Sequence, residues 1–146
     1  MGASICIDRD DYLKHRQNWD YAIMNFPVET LYVCRGRGKE DIRGRVTENA
    51  VYISDLTELP YDAPMVVLEP RGSGPLECSE PLSSFEHPGS AIYHFGPNSH
   101  EILPEHFARR TPGSQVYIDR AAHRDMWSWM AWVIVAYDRL TKRIEP

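Results

Sequence analysis

The sequence predicts an α/β protein of one domain, residues 1–146, with a mostly parallel sheet of five or six strands flanked by helices. Three patterns indicate this class. The N-terminal segment reads as strand, helix and strand, which is typical of a parallel βαβ unit. Residues 64–68 are nearly continuously apolar, as in a parallel strand buried on both faces. The last third adds two more strands and ends in a long Trp-rich helix.

Length and composition set the first limits on function. A chain of 146 residues with 42% hydrophobic and 25% charged side chains can bury a sizeable core. No apolar run reaches the length that spans a bilayer, and charged residues from Asp8 onward interrupt any signal-peptide pattern. We therefore expect a soluble protein of the cytoplasm without a membrane partner.

The cysteines and histidines do not form a ligand motif. Three cysteines, odd in number and far apart, argue against a disulfide framework and against a zinc site, so we expect buried thiols. Three of the histidines fall on a strand, a turn and a helix, which predicts no metal site. These residues are Cys6, Cys34 and Cys78, and His94, His100 and His106.

The first elements follow from short apolar runs. Residues 4–8 predict a strand, and Asp10 or Asp11 is a candidate cap for the helix that Pro27 ends. Residues 29–34 predict the second strand. A polar segment follows this second strand in the sequence.

That segment, residues 35–45, is the densest positive stretch of the chain. It is either a mobile loop that binds phosphate or a solvated loop that Glu40 and Asp41 partly neutralise. A net charge of −5 argues against strong sequence-independent binding to nucleic acid, so a local patch would be needed. Its cations are Arg35, Arg37, Lys39, Arg43 and Arg45.

The middle of the chain predicts strands at 50–54 and 64–68, and the Gly-containing segment 69–74 follows the second of them. Residues 77–87 predict a loop with a short helix. Ligands of open α/β sheets bind outside the carboxyl ends of strands, so segment 69–74 is a candidate pocket wall. It matches neither a P-loop nor a dinucleotide fingerprint.

The C-terminal part predicts strands at 91–95 and 115–119, a short helix at 102–110 and a long helix from Met126. The breaker cluster 96–99 makes the chain leave the first of these strands sharply, and its turn 96–98 is the second candidate wall. The apolar positions of the long helix follow helical spacing: Met126, Trp129, Met130, Val133, Ile134 and Tyr137.

Three segments resemble the SPOUT class of RNA methyltransferases, in the SpoU/TrmH-like branch that methylates ribose 2′-hydroxyls. Tyr93-His94-Phe95-Gly96-Pro97-Asn98 resembles the apolar strand that precedes Phe-Gly-x-Glu in the family. Val116-Tyr117-Ile118-Asp119 resembles its second strand, which usually ends in Ile-Pro. Arg124-Asp125-Met126-Trp127, followed by Ala131 and Tyr137, resembles its Ser-Leu-Asn-x-x-x-Ala helix start.

The resemblance implies a C-terminal trefoil knot, an RNA substrate (tRNA or rRNA), and a homodimer formed through the terminal helices. It also implies S-adenosylmethionine as the cofactor, held mainly by main-chain groups of the knot loops. On this chain those groups map to Leu68, Glu69, Gly72, Phe95, Gly96, Pro97, Asn98, Ile118, Asp119, Met126 and Trp127.

The family's polar side chains are largely replaced here. Its Glu corresponds to Asn98, its Ser to Asp125 and its helix-start Asn to Trp127. Of its Asn-x-Gly-x-x-x-Arg motif, Asn18 is present, but Met24 stands where the family has Arg. The catalytic candidates are Asp125 and His123 as bases, Arg124 as a phosphate ligand, and Asn18. The presence of Asp125, His123 and Arg124 is explained equally well by a solvated loop and a helix cap.

Two hypotheses follow: a divergent methyltransferase, or a SPOUT-like binding or structural module without catalysis. A weaker third is another doubly wound domain that binds a different small anion. The tryptophans could stack on adenine or a base, but a core or subunit contact is favoured. They are Trp127, Trp129 and Trp132.

Overall fold

The structure, a computed structural model, describes residues 2–34, 50–60, 62–70, 76, 78–96, 113–121 and 126–144. Its strands are β1 (Ala3–Asp8), β2 (Leu31–Cys34), β3 (Ala50–Ile53), β4 (Met65–Leu68), β5 (Glu80–Pro81), β6 (Ala91–His94) and β7 (Ser114–Tyr117). The described helices are α1 (Arg9–Lys14), α2 (Arg16–Asn25) and α3 (Ser128–Ile144). Two 3-10 turns lie at Leu56–Glu58 and Leu82–Ser84.

The seven described strands form one sheet in the order β3-β2-β1-β6-β4-β7-β5, and every pairing is parallel. The predicted α/β class with a parallel sheet is confirmed, and each of the six predicted strands is present. The additional strand, β5, has two residues and lies in the segment for which a loop with a short helix was predicted.

Strands from the later part of the sequence lie between or beside strands from the earlier part. β6 lies between β1 and β4, and β7 lies between β4 and β5. Residues 97–112, which link β6 to β7 and include the predicted helix 102–110, lie outside the described residues. The trefoil knot therefore stays a prediction.

The two faces of the sheet bury alternate side chains, as the period of a strand requires. Ile5 and Ile7 face the helices and pack with Trp19 and Trp132 in the larger core cluster. Cys6 faces the opposite side, where the smaller cluster contains Cys34, Ile53, Leu56, Leu59, Met65, Val67 and Ile92. The three described helices thus cover one face.

The helix predicted after β1 is interrupted. α1 ends at Lys14 and α2 begins at Arg16, with His15 between them. The predicted cap is also wrong, because Asp8 occupies the N-cap position and makes no side-chain capping bond. Asp10 and Asp11 lie in the first turn instead, where a negative charge suits the helix dipole. The end of α2 at Asn25, before Pro27, agrees with the prediction.

The long helix begins at Ser128, two residues later than predicted, so Met126 and Trp127 precede it. The residues it buries are Ala131, Trp132, Val135, Ala136 and Arg139. Of the apolar positions whose spacing predicted the helix, three are exposed, namely Met130, Ile134 and Tyr137. Trp129 and Val133 are partly buried against the core.

The cysteines carry free thiols. Cys6 and Cys34 are buried, as expected, whereas Cys78 is exposed, contrary to the expectation. Within the described parts of the chain, no helix is both long enough and apolar enough to cross a membrane.

Candidate functional site

The carboxyl ends of four neighbouring strands form one edge of the sheet. Cys6 of β1 pairs with His94 of β6, and His94 pairs in turn with Val67 of β4. Leu68 pairs with Val116 of β7. Since neighbouring strands lie about 4.8 Å apart, the chain segments that leave these strands emerge side by side.

The segment after β6 is held against β1. The Phe95 amide donates to the Cys6 carbonyl at 2.9 Å, and the Cys6 thiol donates to the Gly96 carbonyl at 3.4 Å. A Cβ atom at residue 96 would lie 3.3 Å from the Asp8 nitrogen and 3.4 Å from its Cβ. The backbone approaches β1 so closely here that a side chain would crowd it.

The start of α3 packs on this same segment. The Ser128 hydroxyl lies 3.5 Å from the Phe95 carbonyl oxygen. The Phe95 ring makes edge contacts with Trp132, at 6.1 Å between centroids, and with Trp19 of α2, at 6.2 Å. Trp132 is a core residue, as favoured from the sequence, so it does not form an open stacking surface.

Asp11 adds a half-buried carboxyl group beside this contact. Burial raises its pKa, and this outweighs the lowering effects of His15, of the nearby Trp19 and Ser128 side chains, and of Lys14. The sequence indicated Asp11 only as a candidate helix cap. Its polar neighbour Ser128 is distant in sequence, so no local pattern could have revealed the arrangement.

Trp127 connects the start of α3 to the helix pair at the N-terminus. Its ring lies 4.3 Å from the His15 ring between centroids, and Lys14 Nζ lies 5.8 Å from its centroid. Half of its surface, 51%, is nevertheless exposed. It is therefore the described tryptophan best placed to meet a ligand.

Asp119, predicted to bind the cofactor, has a structural role. Its two carboxylate oxygens accept from the Ser83 amide at 3.1 Å and from the Ser83 hydroxyl at 2.6 Å. The Ser83 hydroxyl contact is the largest influence on the pKa of this carboxyl and lowers it. The carboxylate thus ties the 3-10 turn Leu82–Ser84 to the end of β7.

The structure brings many of the predicted site residues to the carboxyl edge or to the start of α3, while their contact with a cofactor stays a prediction. These are Leu68, Glu69, Phe95, Gly96, Ile118, Asp119, Met126 and Trp127. Asn18 is exposed on α2, whose buried side carries Trp19, Ala22 and Ile23, and its catalytic role stays a prediction.

The remaining predicted site residues lie outside the described residues. They are Gly72, Pro97, Asn98, His123, Arg124 and Asp125, with the basic residues Arg35, Arg37, Lys39, Arg43 and Arg45. Of the three histidines considered for a metal, only His94 is described, and it is buried in β6. Among the described side chains, no group of three or more His, Cys, Asp or Glu is placed to hold a metal ion.

Comparison by sequence finds no matching family model and no matching curated protein. Comparison by structure finds similarity over nearly the whole chain. A protein studied for the 2-OH methylation of C/U34 on tRNA matches with a TM-score of 0.66 and 14% identity, over 97% of this chain and 91% of its own.

Two further structures illustrate the same likeness. TrmJ from Z. mobilis ZM4 matches with a TM-score of 0.62 and 15% identity, over 94% of this chain and 67% of its own. An AdoMet-bound rRNA methyltransferase from Sinorhizobium meliloti matches with a TM-score of 0.56 and 12% identity, over 97% of this chain and 56% of its own. The predicted SPOUT-like fold is therefore confirmed at the level of architecture, and an unrelated doubly wound fold is disfavoured.

Proposed function

We propose that this chain binds S-adenosylmethionine at the carboxyl edge of β6, β4 and β7 and transfers its methyl group to a ribose 2′-hydroxyl of tRNA or rRNA. The observation that carries the proposal is the fold shared over 97% of the chain with a protein studied for 2-OH methylation on tRNA. The AdoMet-bound rRNA methyltransferase of the same fold supports the choice of cofactor. Free buried thiols at Cys6 and Cys34 suit the reducing cytoplasm in which we place this activity.

The described residues fit the cofactor through their main chain. Strand ends present peptide N–H and C=O groups at one edge, and Gly96 lies so close to Asp8 that a Cβ there would crowd the end of β1. We assign the adenosyl group to Leu68, Glu69, Phe95, Gly96 and Ile118. The cofactor supplies an electrophilic methyl group, and the protein orients the acceptor hydroxyl toward it.

We propose that RNA approaches from the basic segment 35–45. This segment follows Cys34, which ends β2 and pairs with Asp8 at the end of β1. It therefore starts at the same sheet edge as the cofactor segments. Phosphate contacts there would place the ribose near the methyl group despite the net negative charge of the chain.

We also propose that two copies associate through α2 and α3. The α3 residues Met130, Ile134 and Tyr137 lie at helical spacing on its exposed side, and Met24 is exposed on α2, which packs against α3. Exposed apolar surface of this kind marks an interaction site. A second copy of the chain presents the same apolar surface. A contact with two-fold symmetry would therefore bury the apolar surfaces of both copies.

A SPOUT-like module without catalysis is the alternative. The sequence favours it, because Asn18 is the one retained member of the family's first polar motif, whose Arg is replaced by Met24. The replacements at Asn98, Asp125 and Trp127 point in the same direction. Both functions are compatible with the same fold, but only the methyltransferase would transfer a methyl group.

Calorimetric titration with S-adenosylmethionine and S-adenosylhomocysteine tests the cofactor site. We expect binding by the wild-type chain and a loss of at least tenfold in affinity in Gly96→Ala, because the added Cβ meets the Asp8 backbone. Gly89→Ala is the matched control, since a Cβ there lies no closer than 4.0 Å to Arg143. Absence of wild-type binding at millimolar ligand would contradict the proposal.

Transfer of a tritiated methyl group into total RNA then separates enzyme from module. We expect labelled 2′-O-methyl nucleotides with the wild-type chain and a reduced yield with Asp125→Ala. Binding of the cofactor without any transfer to tRNA or rRNA would instead support the module.

A further inference from the structure

The main chain that follows β7 is tied to the turn that follows β5. Asp119 comes directly after Ile118, one of the residues to which the adenosyl group is assigned. Its carboxylate oxygens accept from the Ser83 amide at 3.1 Å and from the Ser83 hydroxyl at 2.6 Å. Ser83 lies 36 residues earlier in the chain. The contact therefore joins a distant segment to the proposed cofactor site.

The same turn is held by the C-terminal half of α3. Lys142 Nζ donates to the Leu82 carbonyl oxygen at 2.6 Å and to the Phe85 carbonyl oxygen at 2.8 Å. The Leu82 carbonyl and the Ser83 amide belong to one peptide group, which thus accepts from a cation and donates to a carboxylate. Hydrogen bonds that share a polarised group strengthen one another. We call this chain of contacts, from Lys142 through the Leu82–Ser83 peptide to Asp119, the peptide bridge.

The strand pairs described for β7 stop short of the residues that the peptide bridge holds. The last pair of β7 with β4 is at Val116, and its last pair with β5 is at Tyr117. Ile118 and Asp119 extend beyond both. Charge-assisted hydrogen bonds are stronger than neutral ones, so the two bonds to Asp119 restrict the main chain at this point.

The two side chains at this end of the bridge, Ser83 and Asp119, are exposed. Surface contacts contribute little to the stability of a whole fold. Their effect is local, on the conformation of the segment that they hold. The position of this contact beside the proposed cofactor segment therefore matters more than its contribution to folding.

We propose that Ser83 is a positioning residue for the cofactor, because it holds the main chain at Ile118, through Asp119, in the conformation that takes the adenosyl group. This inference rests on the proposed cofactor binding. Without the Ser83 hydroxyl the segment adopts other conformations for part of the time. The apparent affinity then falls in proportion to the fraction of molecules in the binding conformation.

The first test needs no cofactor and examines the peptide bridge itself by NMR of the full chain. We expect the Ser83 amide proton resonance to move upfield in Asp119→Asn, which removes the charged acceptor, and in Lys142→Met, which removes the donor to Leu82. Arg143→Met is the matched control, since Arg143 donates to the Pro88 and Gly89 oxygens instead. A Ser83 resonance that is unmoved by Asp119→Asn would overturn the proposal.

The second test measures the affinity for S-adenosylmethionine by calorimetry. We expect Ser83→Ala to weaken binding by about fivefold, which is modest for a charge-assisted hydrogen bond because the contact is exposed. Ser83→Thr keeps the hydroxyl and should restore wild-type affinity. Ser84→Ala is the control, since the Ser84 hydroxyl lies 3.5 Å from the Pro81 carbonyl oxygen and does not reach Asp119.

Two further readouts separate positioning from a purely structural role. The free energy of unfolding should be the same in Ser83→Ala and Ser84→Ala, and in methyl transfer Ser83→Ala should raise KM for the cofactor while kcat is unchanged. Wild-type affinity in Ser83→Ala would overturn the role of Ser83 and leave the proposed function intact. Failure of the wild-type chain to bind the cofactor would instead remove the proposed function, and this inference with it.

Discussion

At the scale of single residues, His87 joins the segment before β6 to α3 through buried hydrogen bonds. Its side chain is 1% exposed, with Nδ1 2.7 Å from the Tyr93 hydroxyl and Nε2 2.7 Å from Asp138. Arg139, which can only donate, lies 2.9 Å from the same hydroxyl. The Tyr93 hydrogen therefore points to Nδ1, and a neutral His87 donates from Nε2 to Asp138.

We predict that this residue makes stability fall at acidic pH. Burial is the main cause of the lowered pKa of His87, assisted by Lys142 and Arg139, while Asp138 opposes it. The unfolded chain then binds a proton more readily than the folded one, so the free energy of unfolding decreases as pH falls below about 6.5. Urea unfolding between pH 5.5 and 8 measures this decrease.

The matched variant is His87→Gln, which cannot take up the proton. Other ionisable groups contribute to both proteins, so the pH slope should be smaller in the variant. Equal slopes in the two proteins would show that His87 does not control this dependence.

At the scale of elements, α3 was predicted from its helical spacing, but the side that it buries was not. Apolar residues occupy two sides of it, and helical spacing alone cannot decide which side enters the core. The exposed side carries Ile134 and Tyr137, whereas the buried side combines Trp132 and Val135 with the small residues Ala131 and Ala136 and the charged Arg139. Close approach of the helix to the sheet favours the small residues.

Some features of the fold follow from local sequence patterns, whereas others depend on contacts between distant parts of the chain. The apolar runs predicted β1 and β4 because each is a local pattern of buried residues. β5 exists only through its pairing with β7, and Asp11 meets Ser128 only after α3 docks. A local sequence pattern does not reveal contacts between distant segments. The strand β5 and the position of Asp11 beside Ser128 were therefore not predicted.

We predict that Arg139 is essential for docking the C-terminal half of α3. It is 5% exposed and donates to the Pro88 and Gly89 carbonyl oxygens, each at 2.7 Å. Arg139→Ala should lower the free energy of unfolding by about 2–3 kcal/mol, because it removes these two charge-assisted hydrogen bonds and the buried donor of the Tyr93 hydroxyl. Denaturant unfolding measures the change.

Arg143→Ala is the control for this prediction. Arg143 donates to the same two carbonyl oxygens, at 2.9 and 3.0 Å, but it does so from the exposed surface. Its removal should cost no more than about 0.5 kcal/mol. If both variants lost the same stability, burial would not be the reason for the importance of Arg139.

At the scale of the whole molecule, the exposed apolar side of α3 predicts a dimer that one substitution can break. Ile134→Glu should yield monomers, because it places a charge in the middle of the proposed contact. Val51→Glu is the control, since Val51 is also exposed but lies on the edge strand β3. Sedimentation equilibrium measures the mass of each protein.

The expected masses are those of a dimer for wild type and Val51→Glu and of a monomer for Ile134→Glu. A wild-type monomer at micromolar concentration would contradict the proposed association. Circular dichroism of Ile134→Glu should remain that of wild type, because residue 134 does not enter the core.

The order of the strands also governs how the chain can fold as it is synthesised. β1 and β4 are made early, but the strand that joins them, β6, ends only at His94. β7, which joins β4 to β5, is translated later still. Until then the paired strands β3, β2 and β1 have an open edge at β1, and β4 and β5 lack the strands they pair with. Long-range pairing therefore makes folding slow and leaves the nascent polypeptide exposed to aggregation.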